Sequence, residues 1–167
     1  MSLYKVEKQM YPHVCTWFKK VLKEKFKNME ICVEDTSKKV LSKWLVKKGY
    51  HKFFSDYQTY EIEVDVTGIV KISDEKALLG LIECKLGRIT LRDLSQLLGY
   101  SKVALPLYSI ILSPKGISRS LNLLFNVARR NDILYYSSDK HIVIGKWSER
   151  RQELDFTSLI PKGRRIF

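Results

Sequence analysis

The stretch Thr59-Tyr60-Glu61-Ile62-Glu63-Val64-Asp65-Val66-Thr67-Gly68-Ile69-Val70-Lys71-Ile72, followed by Leu78-Leu79-Gly80-Leu81-Ile82-Glu83-Cys84-Lys85-Leu86, decides how this chain folds. Tyr60, Ile62, Val64 and Val66 alternate with Glu61, Glu63, Asp65 and Thr67, a period of two that predicts a strand carrying three carboxylates along one face. Gly68 reads as a turn or bulge, and Ile69 to Ile72 as a continuing or returning strand. After the polar turn Ser73 to Lys76, a third strand is predicted over Leu78 to Leu86. Its Ile82, Cys84 and Leu86 share a face, so Glu83 and Lys85 leave the sheet side by side on the other.

Upstream, Val14, Trp17, Phe18, Val21, Leu22 and Phe26 recur at helical spacing between lysines, with Pro12 suited to a first turn, and predict an amphipathic helix from Tyr11 to Phe26. Ile31 to Val33 reads as a short strand. A second helix is expected from about Thr36, with Val40, Leu41, Trp44 and Leu45 on its apolar face and Gly49 as its stop. Downstream, Thr90 and Asp93 form a capping-box pattern ahead of Leu91, Leu94, Leu97 and Leu98, a helix running to about Ser101. Leu105 to Leu112 is an almost unbroken apolar run, expected as a buried strand parallel to the third strand through a crossover. Ile117 to Arg130 reads as another helix, and Ile133 to Tyr136 with Ile142 to Ile144 as a closing hairpin. The order α, α, β, β, β, α, β, α, β, β implies an α/β fold, a mixed central sheet flanked by helices.

With 167 residues, no repeat and no flexible linker, the chain is expected to form a single domain over residues 1–167, with a basic C-terminal tail from about residue 148. Its longest apolar runs fall far short of the roughly 18 residues that suggest a membrane span, and its first residues lack an apolar signal core. A cytoplasmic protein with no membrane association is the expectation. Cys15, Cys32 and Cys84 are too widely spaced for a disulfide framework or a zinc site, and His13, His51 and His141 are scattered. No Gly-rich phosphate loop is present, which argues against ATP-driven chemistry within this chain. A net charge of +12, from 30 Lys and Arg against 18 Asp and Glu, creates a field that attracts polyanions, and DNA is the expected partner. The same charge also serves solubility. Lys19, Lys20, Lys23, Lys43, Lys47, Lys48, Arg129, Arg130, Arg164 and Arg165 offer many phosphate contacts.

If the Asp65 strand neighbours the Glu83 strand, the two carboxylates form a hard oxygen donor set suited to Mg2+ or Mn2+. A bound cation would remove their repulsion, polarise a phosphate oxygen and acidify a water, which phosphodiester hydrolysis requires. Lys85 would stabilise developing negative charge or orient the attacking water. Glu-x-Lys on an exposed strand is also a common surface pair worth at most about 1 kcal/mol. The motif therefore gains its weight from the upstream acidic strand and the capped helix and apolar strand that follow it. Glu61 and Glu63, on the Asp65 face, read equally as accessory ligands or as charges guarding an edge against aggregation.

Val64-Asp65-Val66-Thr67-Gly68, Leu81-Ile82-Glu83-Cys84-Lys85-Leu86-Gly87 and Gln96-Leu97-Leu98-Gly99-Tyr100 together resemble the PD-(D/E)XK, or restriction-endonuclease-like, nuclease superfamily. The likeness is to archaeal and viral members related to Holliday-junction resolvases and RecB-like nucleases. It spans roughly Glu7 to Ile144, and no Pro precedes Asp65, where the family name would place one. The resemblance implies a restriction-endonuclease-like core of order αβββαβ. It also implies a Mg2+-dependent deoxyribonuclease, expected to act as an endonuclease, in which Asp65 and Glu83 hold the metal and Lys85 assists catalysis. Gln96 and Tyr100 match the Gln-x-x-x-Tyr that supports the site in RecB-like branches. Glu7 matches a further metal-site Glu at the start of the first helix, and reads equally as an acidic residue favoured near a helix N-terminus. Arg88 and Arg92 are candidate phosphate contacts. A homodimer is expected by analogy, since two cuts on opposite strands need two sites, and a helicase or recombination partner fits the same class. The competing reading is a non-catalytic nucleic-acid-binding protein on a degenerate nuclease fold. An assembly protein of a virus or mobile element is a third.

Overall fold

The computed structural model describes residues 2–167. Its elements are α1 (Tyr11–Lys25), β1 (Glu30–Asp35), α2 (Leu41–Lys48), β2 (Val66–Lys71), β3 (Ala77–Cys84), α3 (Leu91–Ala104), β4 (Tyr108–Ser113), α4 (Arg119–Asn122), β5 (Val143–Ser148) and β6 (Glu153–Ile160), with short 3-10 turns between them. This is an α/β protein, as expected: six strands form one mixed sheet in the order β1-β2-β3-β4-β5-β6. β1–β2, β2–β3 and β5–β6 are antiparallel, while β3–β4 and β4–β5 are parallel. No helix among the described residues is long and apolar enough to cross a membrane.

Strand alternation divides the core in two. Even-numbered Val66, Val70, Ile82, Cys84, Ile110 and Leu112 pack with Met10, Val14, Trp17, Phe18 and Leu22 of the α1 region. Odd-numbered Ile69, Leu79, Leu81 and Ile111 pack with Trp44 and Leu45 of α2, Leu94 and Leu97 of α3, and Leu121 and Phe125 around α4. Successive side chains of a strand point to opposite faces, so one sheet serves two helical layers. The parallel β3–α3–β4 unit matches the expectation. α3 opens with Thr90 accepting the Asp93 N–H while Asp93 accepts back from Thr90, and it closes on Leu105 at φ 47°. That left-handed residue delays β4 to Tyr108, three residues after the apolar run begins.

The stretch 59–65 departs from the expected strand. Tyr57–Thr59 is a 3-10 turn, and β2 starts only at Val66. Residues 60–64 keep the alternation, with Tyr60, Ile62 and Val64 buried and Glu61 and Glu63 exposed, but Asp65 is buried too, and the stretch joins no ladder. Their carbonyls do another job. Ile62 O and Tyr60 O accept the N–H groups of Leu41 and Ser42, donors in the first turn of α2 that have no partner within the helix. α2 correspondingly begins at Leu41 rather than Thr36, because Thr36 is buried and its hydroxyl is bonded to Val64 O and Thr67 Oγ1, both at 2.7 Å.

Gly68 is neither turn nor bulge. It lies inside β2, directly opposite Gly80 of β3, and the ring of Phe18 from α1 covers both. A Cβ at Gly68 would come within 2.5 Å of that ring, and one at Gly80 within 2.6 Å. The paired glycines are the floor that lets α1 approach the sheet.

The expected helix 117–130 is short, α4 giving way to a π-turn over Leu123–Val127. The closing hairpin is replaced by a 3-10 turn at Asn131–Leu134 and one bridge between Tyr135 and His141. β5 instead continues to Ser148 beside β4. Within the segment expected as a basic tail from about residue 148, Glu153–Ile160 forms the edge strand β6.

Gly68→Ala and Gly80→Ala should each lower unfolding free energy by about 1–3 kcal/mol, the usual cost of overpacking. Phe18→Leu should recover part of the Gly80→Ala loss, and additive losses in urea unfolding would show that the ring is not the obstacle.

Candidate active site

The site forms where β3 outlasts its partner. The last β2–β3 pair is Val66 with Ile82, and β3 continues through Glu83 and Cys84. On the β2 side Asp65 stands at this frayed end, and its Oδ2 accepts the Cys84 N–H at 2.8 Å. The Asp65 carbonyl accepts the Thr36 N–H at 2.9 Å, so backbone and side chain are both held. Lys85 N donates to Leu112 O at 2.9 Å, which extends the β3–β4 pairing by one residue and fixes the Lys85 backbone. The following turn is tied down by Ser113 Oγ donating to Gly87 O at 2.6 Å.

Four carboxylates and one ammonium meet here. Lys85 Nζ donates to Glu83 Oε1 at 2.9 Å, and lies 3.9 Å from Asp93 Oδ1 and 4.0 Å from Glu7 Oε1. Glu7 reaches in from the turn before α1, its Oε2 accepting the Leu86 N–H at 3.1 Å. The Tyr11 hydroxyl donates to Glu7 Oε1 at 3.4 Å and lies close enough to Asp65 to favour its charged form. Asp65 and Glu83 are almost fully buried, 8% and 6% exposed, while Lys85, Glu7 and Asp93 line the partly open side.

Burial dominates the electrostatics. Desolvation pushes the Glu83 carboxyl up to about 7, and the neighbouring Asp65 charge pushes the same way, against the pull of Lys85. Asp65 is also raised by desolvation, which the Cys84 N–H and the Tyr11 hydroxyl oppose. Burial alone would lower Lys85, but the Glu83, Glu7 and Asp65 charges win and raise it to about 12. The ammonium is therefore fixed as a cation among acids that are short of positive charge. Among the described residues no group of three or more His, Cys, Asp or Glu is gathered as a ready metal cage.

The structure thus brings Asp65, Glu83, Lys85 and Glu7 together. On α3, Gln96 Nε2 donates to the Tyr100 hydroxyl at 3.1 Å, and neither side chain hydrogen-bonds Asp65, Glu83, Lys85 or Glu7. Tyr100 also lines a cleft of about 490 Å³ with Ser42, Lys43, Gln58, Glu61 and Glu63. Arg88 and Arg92 are exposed next to the site, Arg88 in the β3–α3 loop and Arg92 in the first turn of α3. Lys8, Lys38 and Lys39 are exposed on two other segments that reach the site, beside Glu7 and Thr36. Two residues escaped the sequence reading. Tyr11 stands four positions after Glu7, the spacing of one helical face, which is a usable signal. Asp93 was legible only as a cap.

Between the ordinary Glu value of 4.5 and about 7, the folded protein holds a proton that the unfolded chain releases. Stability from this group is thus present below that window and is lost as pH rises through it. Thermal melts in chelator should show Tm falling across this range by more in the native protein than in Glu83→Gln. Equal slopes would assign the pH dependence elsewhere.

Comparison of the chain with protein-family models, with curated proteins and with solved structures finds no match.

Proposed function

We propose that this protein is a metal-dependent DNA nuclease of the PD-(D/E)XK class. The observation that carries this reading is the bond from the Cys84 N–H to Asp65, which sets an acid from just before β2 beside Glu83 and Lys85 at the end of β3. The order α1, β1, β2, β3, α3, β4, with α2 inserted after β1, supports the restriction-endonuclease-like core αβββαβ. The donor set fits a hard divalent cation, since two buried carboxylates with a third beside them are short of positive charge and offer only oxygen.

Asp65 and Glu83 would hold Mg2+ or Mn2+, with Glu7 on the open side as a further oxygen donor. Such an ion supplies charge neutralisation at a phosphate oxygen and acidifies a water. Lys85 keeps its proton well above neutral pH, so it acts as a fixed positive charge against the developing charge on phosphate, not as a general base. Tyr11 holds Glu7 and lies beside Asp65. Arg88 and Arg92, exposed on the segment that follows Lys85, and Lys8, exposed beside Glu7, would draw a DNA backbone towards the site, where a bound cation would let the scissile phosphate approach the carboxylates.

The purified protein should cut linear, flapped or four-way DNA with Mg2+ or Mn2+ and stop on chelation. Asp65→Ala, Glu83→Ala and Lys85→Ala should each reduce cutting by at least about 100-fold while leaving salt-sensitive DNA binding. Cleavage indifferent to all three would remove the assignment. One observation favours the non-catalytic alternative: Lys85 is already paired within the carboxylates. Binding without turnover in every metal would select it.

Arg88→Ala and Arg92→Ala should weaken binding about equally for all sequences and reduce the salt slope by roughly one each. An unchanged slope would place the phosphate contacts on other cations.

A further inference from the structure

Lys85 has three carboxylate neighbours, and two of them, Glu83 and Glu7, belong to the donor set assigned above to a divalent cation. The third, Asp93, does not. Its Oδ2 accepts both the N–H and the hydroxyl of Thr90, at 2.8 and 2.7 Å, which pins the carboxylate to the first turn of α3. A helix cap needs no more than that one oxygen. The other, Oδ1, faces Lys85 Nζ at 3.9 Å, within ion-pair range but beyond a hydrogen bond. The ammonium therefore donates to Glu83 and stands one short shift from a second, rigidly held acceptor.

We propose that Asp93 is a positioning residue: when a divalent cation takes Glu83, Asp93 accepts the Lys85 ammonium and keeps it at the edge of the site. The inference rests on the metal-site reading. Lys85 and an incoming cation compete for the same carboxylate, and two positive charges confined in a partly dry site repel. Without an alternative anion, release of Lys85 from Glu83 would leave an ammonium unpaired beside the metal. With Asp93 the exchange is a transfer from one charge-assisted bond to another. The capping box does not explain why a carboxylate should be preferred here over an amide, since an Asn oxygen can also accept from Thr90.

The test is calorimetric titration of Mn2+ alone, without DNA, into four proteins: the native chain, Asp93→Asn, Lys85→Gln and the double variant. Asp93→Asn keeps a cap acceptor, and its thermal melt should stay close to that of the native protein. In the presence of Lys85 it should weaken Mn2+ binding by roughly threefold to tenfold, a coupling usual for contacting charged residues. In the Lys85→Gln background the loss should be clearly smaller, since only the through-space attraction of the Asp93 charge for the cation remains. The same loss in both backgrounds, or no loss in either, would overturn the proposal, the former by making Asp93 a ligand in its own right. Lys85→Met replaces Lys85→Gln if that variant does not fold. Mn2+ binding with the expected coupling but no DNA cleavage would sink the nuclease reading and leave this inference standing. No Mn2+ binding by the native protein would sink both.

Discussion

The Cys84 N–H is a ladder donor that β2 ends too early to pair, and Asp65 satisfies it with a carboxylate oxygen. A buried N–H left without a partner would cost about 1–3 kcal/mol, so this bond completes the sheet while burying an acid that would otherwise stay in water. The arrangement of the candidate site follows from that substitution of side chain for backbone. Asp65 is drawn beside Glu83, both lose solvent, and Lys85, Glu7 and Asp93 assemble around the resulting excess of negative charge. Thr36 secures Asp65 from a further segment, and Tyr11 lies beside it.

A chain of net charge +12 nonetheless gathers three carboxylates around one ammonium, with Asp65 behind them, so the field of the whole molecule and the charge of the site have opposite signs. The positive field belongs to the whole surface and weakens with salt, whereas the local deficit of positive charge is buried and little screened. Some of the cations are already engaged, Lys48 with Glu34 and Arg130 with Asp132. The net charge therefore overstates the number of unengaged cations.

Legibility followed the range of the interactions involved. The β3–α3–β4 unit could be read because its signals are local: Thr90 and Asp93 announce a helix start, and Tyr108 to Leu112 is apolar whichever way it faces. Parity along the third strand placed Glu83 and Lys85 side by side, but only the family resemblance singled out Asp65 from Glu61 and Glu63, because Asp65 stands just outside β2 and is held by the Cys84 N–H. The segment from Tyr60 to Asp65 was misread because alternation reports which side chains are buried, not what the backbone bonds to. Gly68 was misread because the ring that requires it comes from α1, fifty residues away in sequence. β6 alternates poorly, with Asp155, Phe156, Thr157 and Ser158 in its middle, as suits an edge strand with little core to face. Gln96 and Tyr100 share a helix face as their spacing implies, but bond to each other.

The carbonyls of Tyr60 and Ile62 complete the opening turn of α2, and the next few residues end at Asp65. This strap makes one mechanical unit of a peripheral helix and the acid. Trp44 and Leu45, which anchor α2 in the core, thereby also anchor the segment that ends at Asp65. Loosening of that helix would therefore spread its opposing carboxylates before it unravelled any strand.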